Sequence, residues 1–534
     1  MKLQRWLLGC LAAVAVGFVH GQTLRWGGQG DVLTLDPMSQ NEIFTNSFNG
    51  QVYESLVGRN KQLAIVPRLA TEWKQIGTLK WTFKLRPSVV FHDGRPFSAD
   101  DVLFSIRRAQ AKTSQISGYA EALGEPRKID DLTVEFNLRR FNPVFLEHLS
   151  AIPIMSKSWC EEHKVTLPQD FMSNEESFTT RHSNGTGPYS VTIRQPDIRT
   201  VLRRNESYWS VFEGNVKEVI FTPIPSGATR VAALISGEID FIADPPPQDI
   251  SRLRANSALT LFEGIENRVL FVGMDQARDE LLYSNVKGKN PFKDQRVRRA
   301  LYQAIDIEAI HIKLMNGMAA PTGAVAPSPL TTFNDPELER RLPYDLAAAR
   351  KLMAEAGYAN GFEVTLDCPN NRYANDERIC VALSDMWARI KVIVSVDAMP
   401  KSLYFKKLER LDTSLYLFGW GGAVIDPETL FTPLYRNRGE NGVGEYNRGN
   451  YKDDVLDELA AATSTEADPD RRKQLIRRVF IRHNDQVHHI PLHRQVITWV
   501  ARRGVSVVPR ADNWLEIQWV RVATSPDMQR LVPP

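Results

Sequence analysis

Apolar and polar residues repeat along the chain in two spacings, one typical of strands and one typical of helices. Residues 80–86 and 130–138 alternate between apolar and polar side chains, which predicts two half-buried strands. Residues 42–57 place apolar side chains at positions 44, 48, 52 and 56, a spacing that favours a helix. Another helix is predicted over residues 346–356, closed by Gly357. Because strands and helices are intermixed, the sequence predicts a mixed α/β fold of two main lobes.

An aromatic and glycine-rich stretch occupies residues 415–430. Residues 412–418 predict a strand, and the Gly-Trp-Gly-Gly sequence that follows at 419–422 predicts a turn whose backbone can approach another group closely. Asp426 before Pro427 then predicts the start of a helix, with the aspartate as its N-cap. The stretch fits either a ligand platform or an ordinary turn around a core tryptophan, and the local sequence leaves both open.

The first 21 residues have the features of a secretory signal peptide. Lys2 and Arg5 form a basic start, an apolar run covers residues 6–19, and a cleavage point is expected before Gln22. The run is short for a membrane span, and Cys10 comes too early in it for a lipoprotein signal. No later segment holds eighteen uninterrupted apolar residues, so we expect export to the periplasm and no span in the mature chain.

Composition and charge narrow the classes of function. The chain has 534 residues, 43% of them hydrophobic and 24% charged, which suits a globular protein of more than one domain. Loss of Lys2 and Arg5 with the signal peptide lowers the formal net charge from +3 to +1, so no nucleic-acid partner is indicated. Cys160, Cys368 and Cys380 then remain, enough for one disulfide whose pairing the sequence leaves open.

Four histidines fall within eleven residues, at positions 483, 488, 489 and 493. Because histidine is a common zinc ligand, a secreted zinc-dependent hydrolase that uses His483, His489 and His493 is an alternative hypothesis. Strand alternation would place His489 and His493 on one face and His488 on the other. No Gly-x-Ser-x-Gly elbow or other nucleophile pattern occurs, so we favour a protein with no catalytic residue, no metal and no cofactor.

A series of short motifs in a fixed order resembles one family of proteins. The series includes Trp-Thr-Phe-Lys-Leu-Arg-Pro at 81–87 and Phe-His-Asp-Gly-Arg-Pro-Phe-Ser-Ala-Asp-Asp-Val at 91–102. It continues with Gly-Thr-Gly-Pro-Tyr at 185–189, Gly-Glu-Ile-Asp at 237–240 and Asn-Pro-Phe-Lys-Asp at 290–294. In this order the motifs are similar to those of the peptide/nickel family of extracytoplasmic solute-binding proteins, family 5, the ligand-capture subunits of ABC importers.

The resemblance implies a two-lobe periplasmic-binding-protein fold of type II, with a hinge and a ligand cleft between the lobes. Residues 22–53, 181–271 and 496–534 would form lobe one, 54–180 a subdomain inserted in it, and 272–495 lobe two. The resemblance also implies that a monomer captures a small solute by cleft closure, without catalysis, and delivers it to the permease subunits of an ABC importer. A chemosensory or chaperone-type binding protein of the same fold is the other alternative.

The same resemblance assigns site residues around the tryptophan turn. Trp420 takes the position of an aromatic residue on the cleft wall, and Gly421 and Gly422 let the backbone beside it approach a ligand. Peptide-binding members usually carry an aspartate three residues after this tryptophan, which pairs with the α-ammonium of a peptide; here that residue is Ala423. Its loss would cost on the order of 2–5 kcal/mol, so unmodified free-amine peptides are disfavoured relative to neutral or anionic peptide-like solutes.

Four further residues are expected at the cleft. Arg372 takes the place of the arginine with which dipeptide-binding members receive the ligand carboxylate, through a bidentate pair. Tyr119 matches a tyrosine that lines the cleft from the inserted subdomain, and Asn41 and Ile43 are candidates at its edge. Members of the nickel branch hold a metal chelate with an arginine near residues 151–155, where this chain has none, so a nickel ligand is disfavoured.

Overall fold

The computed structural model of the chain describes residues 22–173, 176–325, 335–421 and 426–523. Strands and helices are intermixed along them, as the apolar spacing predicts. The strands are β1 (Thr23–Gly28), β2 (Val57–Arg59), β3 (Ile65–Pro67), β4 (Ala70–Ile76), β5 (Lys80–Leu85), β6 (Glu125–Asp130), β7 (Thr133–Asn137), β8 (Tyr189–Gln195), β9 (Arg199–Arg204), β10 (Glu218–Pro223), β11 (Phe241–Ala243), β12 (Leu259–Met274), β13 (Ala319–Pro321), β14 (Phe362–Pro369), β15 (Val392–Met399), β16 (Leu415–Gly421), β17 (His489–Arg502), β18 (Val505–Ser506) and β19 (Arg521–Val522). The α-helices are α1 (Ile43–Asn49), α2 (Ala99–Ala109), α3 (Ser117–Glu121), α4 (Phe145–Ser150), α5 (Lys157–Glu162), α6 (Gly227–Ser236), α7 (Ile250–Ala255), α8 (Gln295–Gln303), α9 (Ile307–Ala309), α10 (Leu346–Glu355), α11 (Asp376–Ala388), α12 (Lys401–Glu409), α13 (Glu428–Leu430), α14 (Asp454–Thr463) and α15 (Pro469–Gln486).

One large sheet runs through both lobes in the order β15-β14-β16-β12-β17-β11-β1-β10-β9-β8, and β13 also pairs with β17. We call the part built on β1 and β8–β11 lobe one, and the part built on β14–β16 lobe two. The long antiparallel strands β12 and β17 connect them, and their pairing is interrupted between Ile265 and Val269. Arg268, within this break, pairs with Gly421 of β16 instead. The turn predicted from residue 419 is wrong for residues 419–421, which continue β16 because they pair with β12. The break therefore lies beside Trp420, at the centre of the sheet.

A second, antiparallel sheet has the order β4-β5-β7-β6 and packs into the core of lobe one. Strand β5 confirms the strand predicted over residues 80–86, since Phe83 is buried and Lys84 beside it is exposed. The strand predicted over residues 130–138 is shorter in the structure, where β7 covers Thr133–Asn137 and Asp130 belongs to β6. Helix α2 begins with a capping box, in which the Ser98 backbone N–H donates to Asp101 at 2.9 Å.

The helix predicted over residues 42–57 is too long, because α1 ends at Asn49. Beyond that point the backbone pairs with a distant segment, and the Tyr189 N–H donates to the Gln51 carbonyl at 2.9 Å. This long-range hydrogen bond replaces the helical pattern, although the apolar residues at positions 52 and 56 are buried as expected. The helix predicted over residues 346–356, by contrast, is confirmed as α10.

A disulfide joins Cys368 of β14 to Cys380 of α11, which resolves the pairing that the sequence left open. Cys160 is a buried free thiol. The disulfide closes the loop between β14 and α11, and Arg372 belongs to this loop. A covalent bond therefore fixes the base of a segment that the sequence assigns to the cleft.

Candidate ligand-binding cleft

A cavity of about 240 Å³ lies between the lobes, next to the break in the pairing of β12 and β17. Lobe one contributes α1 and the residues before it, and lobe two contributes the end of β16 and the loop between β14 and α11. Much of the wall is aromatic, namely Tyr53, Tyr119, Phe171, Tyr373, Phe405, Phe418, Trp420, Tyr446 and Trp514. Charged side chains also line it, among them Arg68, Arg448 and Arg510. A concave wall that combines aromatic rings with converging polar groups is suited to holding a small solute.

Trp420 lies at the end of β16 and lines the cavity with a half-buried side chain. The centroid of its ring is 5.0 Å from that of Tyr446. A Cβ atom on Gly421 would come within 2.2 Å of the Asn267 carbonyl oxygen, and one on Gly419 within 2.8 Å of a ring carbon of Tyr373. Glycine is therefore needed on both sides of the tryptophan so that the strand can pack closely against its neighbours.

Gly422 and Ala423, two predicted site residues, lie outside the described residues. The next acid along the chain, Asp426, accepts two hydrogen bonds from Arg472, at 2.9 and 2.6 Å. Its Oδ1 also accepts the backbone N–H of Glu428 at 2.9 Å, at the start of α13. The carboxylate of Asp426 is thus engaged within the fold. The N-cap of α13 is Pro427, one residue after the predicted Asp426.

Arg372 lies on the cavity wall, and its Nε is 3.1 Å from Oε1 of Glu42 in lobe one. Lys401, at the start of α12, donates from Nζ to Oε2 of Glu42 at 3.2 Å. The side chains of Glu42, Arg372 and Lys401 are only 4%, 11% and 5% exposed. We call these three residues the Glu42 cluster. Its ion pairs join the two lobes at the back of the cavity.

The carboxylate of Glu42 is ionised and well hydrogen-bonded. Burial alone would raise the pKa of Glu42, but Lys401 and Arg372 outweigh burial and hold that pKa well below its usual range. The carboxylate also accepts the backbone N–H groups of Phe44 at 3.1 Å and Thr45 at 2.9 Å, so that Glu42 is the N-cap of α1. Burial lowers the pKa of Lys401, against the opposing effect of Glu42.

A smaller cavity of about 60 Å³ lies behind the cluster and is also lined by Asp244 and Arg268. Arg268 is buried, with Nη2 2.9 Å from Oε1 of Glu266. Burial raises the pKa of Glu266 and that of Asp244, while the charge of Arg268 opposes both changes. The charged side chains that line this small cavity are Glu42, Asp244, Arg268, Arg372 and Lys401, and Glu266 pairs with Arg268 beside it.

Tyr119, on α3, lines the cavity from the side of the four-stranded sheet β4-β5-β7-β6. Burial raises its pKa to about 12, so the hydroxyl is a neutral hydrogen-bonding group. Its ring stacks on that of His148 at 5.8 Å, and Nε2 of His148 is 2.9 Å from Oε2 of Glu428. His148 belongs to α4 and Glu428 to α13, so this buried contact is a second link between distant parts of the chain, near the cavity wall.

Asn41 and Ile43 line the cavity on either side of Glu42. The sequence thus singled out both neighbours of Glu42 and missed Glu42 itself. Only one feature of the sequence pointed to Glu42, namely its position directly before the helix at residues 43–49, where an N-cap is expected. Lys401 gave no signal, because nothing in the local sequence indicates a partner 359 residues away.

We call His483, His488, His489 and His493 the histidine group. This group does not form the zinc site that the alternative hypothesis requires. His483 Nε2 is 2.9 Å from His489 Nδ1, and both side chains are buried in lobe two. Strands β12 and β17 change register between Leu270 and Phe271. This bulge reverses the alternation, so His489 packs on the Phe271 ring at 4.8 Å while His493 lies on the opposite face, paired with Leu270. The prediction that His489 and His493 share a face is wrong.

His488 is also engaged elsewhere, with Nε2 3.0 Å from Asp453 and Nδ1 3.0 Å from the side-chain oxygen of Gln276. Burial lowers the pKa of His489 and that of His493 to about 3, so both rings are neutral. Across residues 22–173, 176–325, 335–421 and 426–523, no group of three or more histidines, cysteines or carboxylates is placed to hold a metal ion. The zinc hydrolase alternative is therefore not supported.

Comparison with known proteins identifies the family. Residues 64–442 match the model of the bacterial extracellular solute-binding proteins, family 5, middle. Heme-binding protein A of Haemophilus influenzae is 27% identical over 478 residues, which cover 84% of this chain and 83% of that protein. The dipeptide-binding protein of Escherichia coli is 26% identical over 535 residues, which cover 93% and 94%.

The fold agrees with solved structures of such proteins. The ABC transporter-associated periplasmic binding protein DppA from Helicobacter pylori, in complex with peptide STSA, matches with a TM-score of 0.83 and 21% identity, over 94% of this chain and 98% of that one. The predicted mixed α/β, two-lobe fold is thereby confirmed. Since the family model covers well over half of the sequence, the chain belongs to the bacterial extracellular solute-binding proteins of family 5.

Proposed function

We propose that this chain is the solute-capturing subunit of a bacterial ABC importer and that it works in the periplasm as a monomer after removal of residues 1–21. The family consists of binding proteins for transport rather than enzymes, which supports capture without catalysis. Within the described residues, no helix has the length and apolar character to cross a membrane. The predicted division into lobe one, an inserted subdomain and lobe two is part of this proposal.

The observation that carries the proposal is the cavity between the lobes. Side chains from both lobes form its wall, and the buried ion pairs of the Glu42 cluster join the lobes at this wall. Separation of these ion pairs would open the cavity for uptake or release of a solute. Closure of two lobes on a ligand therefore accounts for the arrangement.

We propose a small peptide-like or other solute without a free ammonium group as the ligand. Trp420 and Tyr119 supply an aromatic surface and a neutral hydroxyl, with Asn41 and Ile43 at the edge of the site. No aspartate is present at position 423 to balance an ammonium group. A neutral or anionic solute therefore suits the wall better than a cation.

Mass spectrometry of the solute released from denatured, freshly purified protein tests this function. We expect a small molecule bound near one equivalent, and rebinding to Trp420→Ala weaker by roughly 5- to 150-fold, because stacking contributes on the order of 1–3 kcal/mol. Trp420→Phe is the matched control and should retain most of the affinity. Unchanged rebinding to Trp420→Ala would contradict the cavity as the binding site.

Calorimetry with alanylalanine tests the class of ligand. We expect binding weaker than micromolar, because the ammonium group has no carboxylate at position 423. Ala423→Asp restores that carboxylate and should tighten binding of the dipeptide at least about tenfold. Micromolar or tighter binding to the unaltered protein would rule out this part of the proposal.

Recovery of membrane partners tests the role in import. Tagged protein incubated with solubilised membranes should retain the permease subunits of an ABC importer. Recovery of a chemoreceptor without a permease would favour the chemosensory alternative instead.

A further inference from the structure

The Glu42 cluster supplies this cleft with a carboxylate of its own. Arg372 is the arginine to which the resemblance assigns the ligand carboxylate, yet its Nε is 3.1 Å from Glu42 and Lys401 donates to the same side chain at 3.2 Å. We propose that Glu42 occupies the acid-binding position of the cleft, so that the cleft selects solutes that are uncharged where they meet Arg372. This inference rests on the proposed function of the cavity.

Glu42 is held in place by more than its two cations. Its Oε2 accepts the backbone N–H and the hydroxyl of Thr45, both at 2.9 Å, and its Oε1 accepts the N–H of Phe44 at 3.1 Å. Its own N–H donates to Oε1 of Gln40 at 2.5 Å. A ligand acid that displaced Glu42 would leave these buried donors unpaired, which is costly. The carboxylate is therefore a fixed part of the wall.

Arg372 already has several carboxyl groups near it. Besides the cluster, Arg268 lies 2.9 Å from Glu266, and Asp244 lines the same small cavity. Glu42, Glu266 and Asp244 all act electrostatically on Arg372 and favour its charged form. A carboxylate from a ligand would have to share Arg372 with these groups in a buried place, where like charges repel. A neutral carbonyl or hydroxyl, by contrast, can accept one of the five N–H groups of an arginine without displacing Glu42.

The other end of a peptide is excluded independently, because the sequence has Ala423 where an ammonium group needs an aspartate. The two features act on opposite charges. A free peptide carries both charges and is disfavoured twice. The solute class that remains has a neutral group, such as an amide, ester or hydroxyl, at the Arg372 end and no ammonium group near Trp420.

A matched pair of probes tests this inference, namely N-acetylphenylalanine and its uncharged amide. Both lack an ammonium group, and both present a phenyl ring to the aromatic wall. We expect the unaltered protein to bind the acid no more tightly than the amide. In Glu42→Gln, Arg372 and Lys401 lose their carboxylate, so calorimetry should give acid binding at least tenfold tighter than in the unaltered protein, with the amide changed less than threefold.

Glu42→Ser provides a second variant that keeps an oxygen for capping α1, so folding does not depend on Glu42→Gln alone. It should shift binding toward the acid in the same direction. The inference is overturned if the unaltered protein prefers the acid by more than tenfold. It is equally overturned if the folded variants fail to bind the acid or leave the ratio of acid to amide unchanged.

The Trp420→Ala substitution, added to Glu42→Gln, separates this inference from the proposed function. If the cavity is the binding site, loss of Trp420 should weaken acid binding by Glu42→Gln at least tenfold. Acid binding that survives without Trp420 contradicts the cavity as the site and, with it, the proposed function. Trp420-dependent binding with an unchanged ratio of acid to amide contradicts only the role of Glu42.

Discussion

Two groups of buried ionisable residues lie near the central strands, and they behave differently. In the Glu42 cluster, one carboxylate has cations at 3.1 and 3.2 Å and stays ionised although it is buried. In the histidine group, His483 and His489 face each other at 2.9 Å, and burial lowers the pKa of His489 to about 3. The first group is charged and joins two lobes, whereas the second is neutral and fills the interior of one lobe.

The difference shows what burial requires of an ionisable group. A buried charge persists only where partners of opposite charge are supplied, and without them the group becomes neutral. Glu42 has its partners only while the lobes are together, so its electrostatics depend on closure. The histidines have no such dependence. Ionisable residues at the cleft are therefore candidates for ligand selection, and those in the core are not.

Glu42→Lys should have the largest effect, because it brings a third cation against Arg372 and Lys401. Breaking a buried pair in this way costs on the order of 3–5 kcal/mol, which corresponds to about 100-fold or more in affinity for the co-purified solute. The open lobes can hydrate these charges, so the loss should fall on closure and be seen as a larger radius of gyration in small-angle scattering. Glu72→Lys, at an exposed position of β4, is the control.

If Glu42→Lys stays closed and keeps its affinity for the solute, the contrast between the Glu42 cluster and the histidine group is contradicted. It would mean that the Glu42 cluster contributes no more to closure than the histidine group does. The same scattering measurement on Glu72→Lys excludes a general effect of the added charge.

Removal of the disulfide should have the next largest effect. The disulfide joins two residues 12 positions apart, and Arg372 lies between them. Loss of a cross-link over a loop of this size lowers the free energy of unfolding by about 3 kcal/mol. We expect Cys368→Ala with Cys380→Ala to lower the midpoint of urea unfolding. Dithiothreitol reduces the same disulfide, so it should lower the urea midpoint of the unaltered protein by the same amount as the double substitution. Cys160 is a buried free thiol and offers no bond to reduce. A reductant effect in the double variant would contradict this account.

His493→Leu tests the neutral state of the histidine group. Burial lowers the pKa of His493 from 6.5 to about 3, so the unfolded chain binds a proton that the folded chain does not between these values. The unaltered protein therefore loses stability as the pH falls below 6.5, by about 2 kcal/mol at pH 5. Between pH 7 and pH 5, the free energy of urea unfolding should fall by about 2 kcal/mol less in the variant than in the unaltered protein. His493→Gln should behave alike, because it also removes the titrating ring, and an unaltered pH dependence in both would refute the assignment.

Short-range patterns predicted a large part of the fold, and long-range contacts set the remainder. The strand over residues 80–86 and the helix over residues 346–356 follow from neighbours within a few residues. The early end of α1 at Asn49 follows from pairing with Tyr189, and the faces of His489 and His493 from a bulge against β12. Spacing within one segment contains no information about such partners.

The candidate site divides in the same way. Trp420 and Tyr119 were found through motifs, and both line the cavity. Glu42 and Lys401 were missed, because their role depends on a contact between residues 359 positions apart. Motif matching identified the wall, but it could not show that Arg372 already has a carboxylate against it.

Zinc should have the smallest effect. A zinc ion needs three or four nitrogen, sulfur or oxygen ligands at about 2.0–2.3 Å around one centre. Here His483 and His489 use facing nitrogens on each other, His488 contacts Asp453, and His493 lies on the opposite face of the sheet. Dialysis against EDTA and later addition of zinc should both leave the melting temperature unchanged. Stoichiometric zinc in the purified protein, or a lower melting temperature after EDTA, would give the histidine group a role that its burial and hydrogen bonds do not predict.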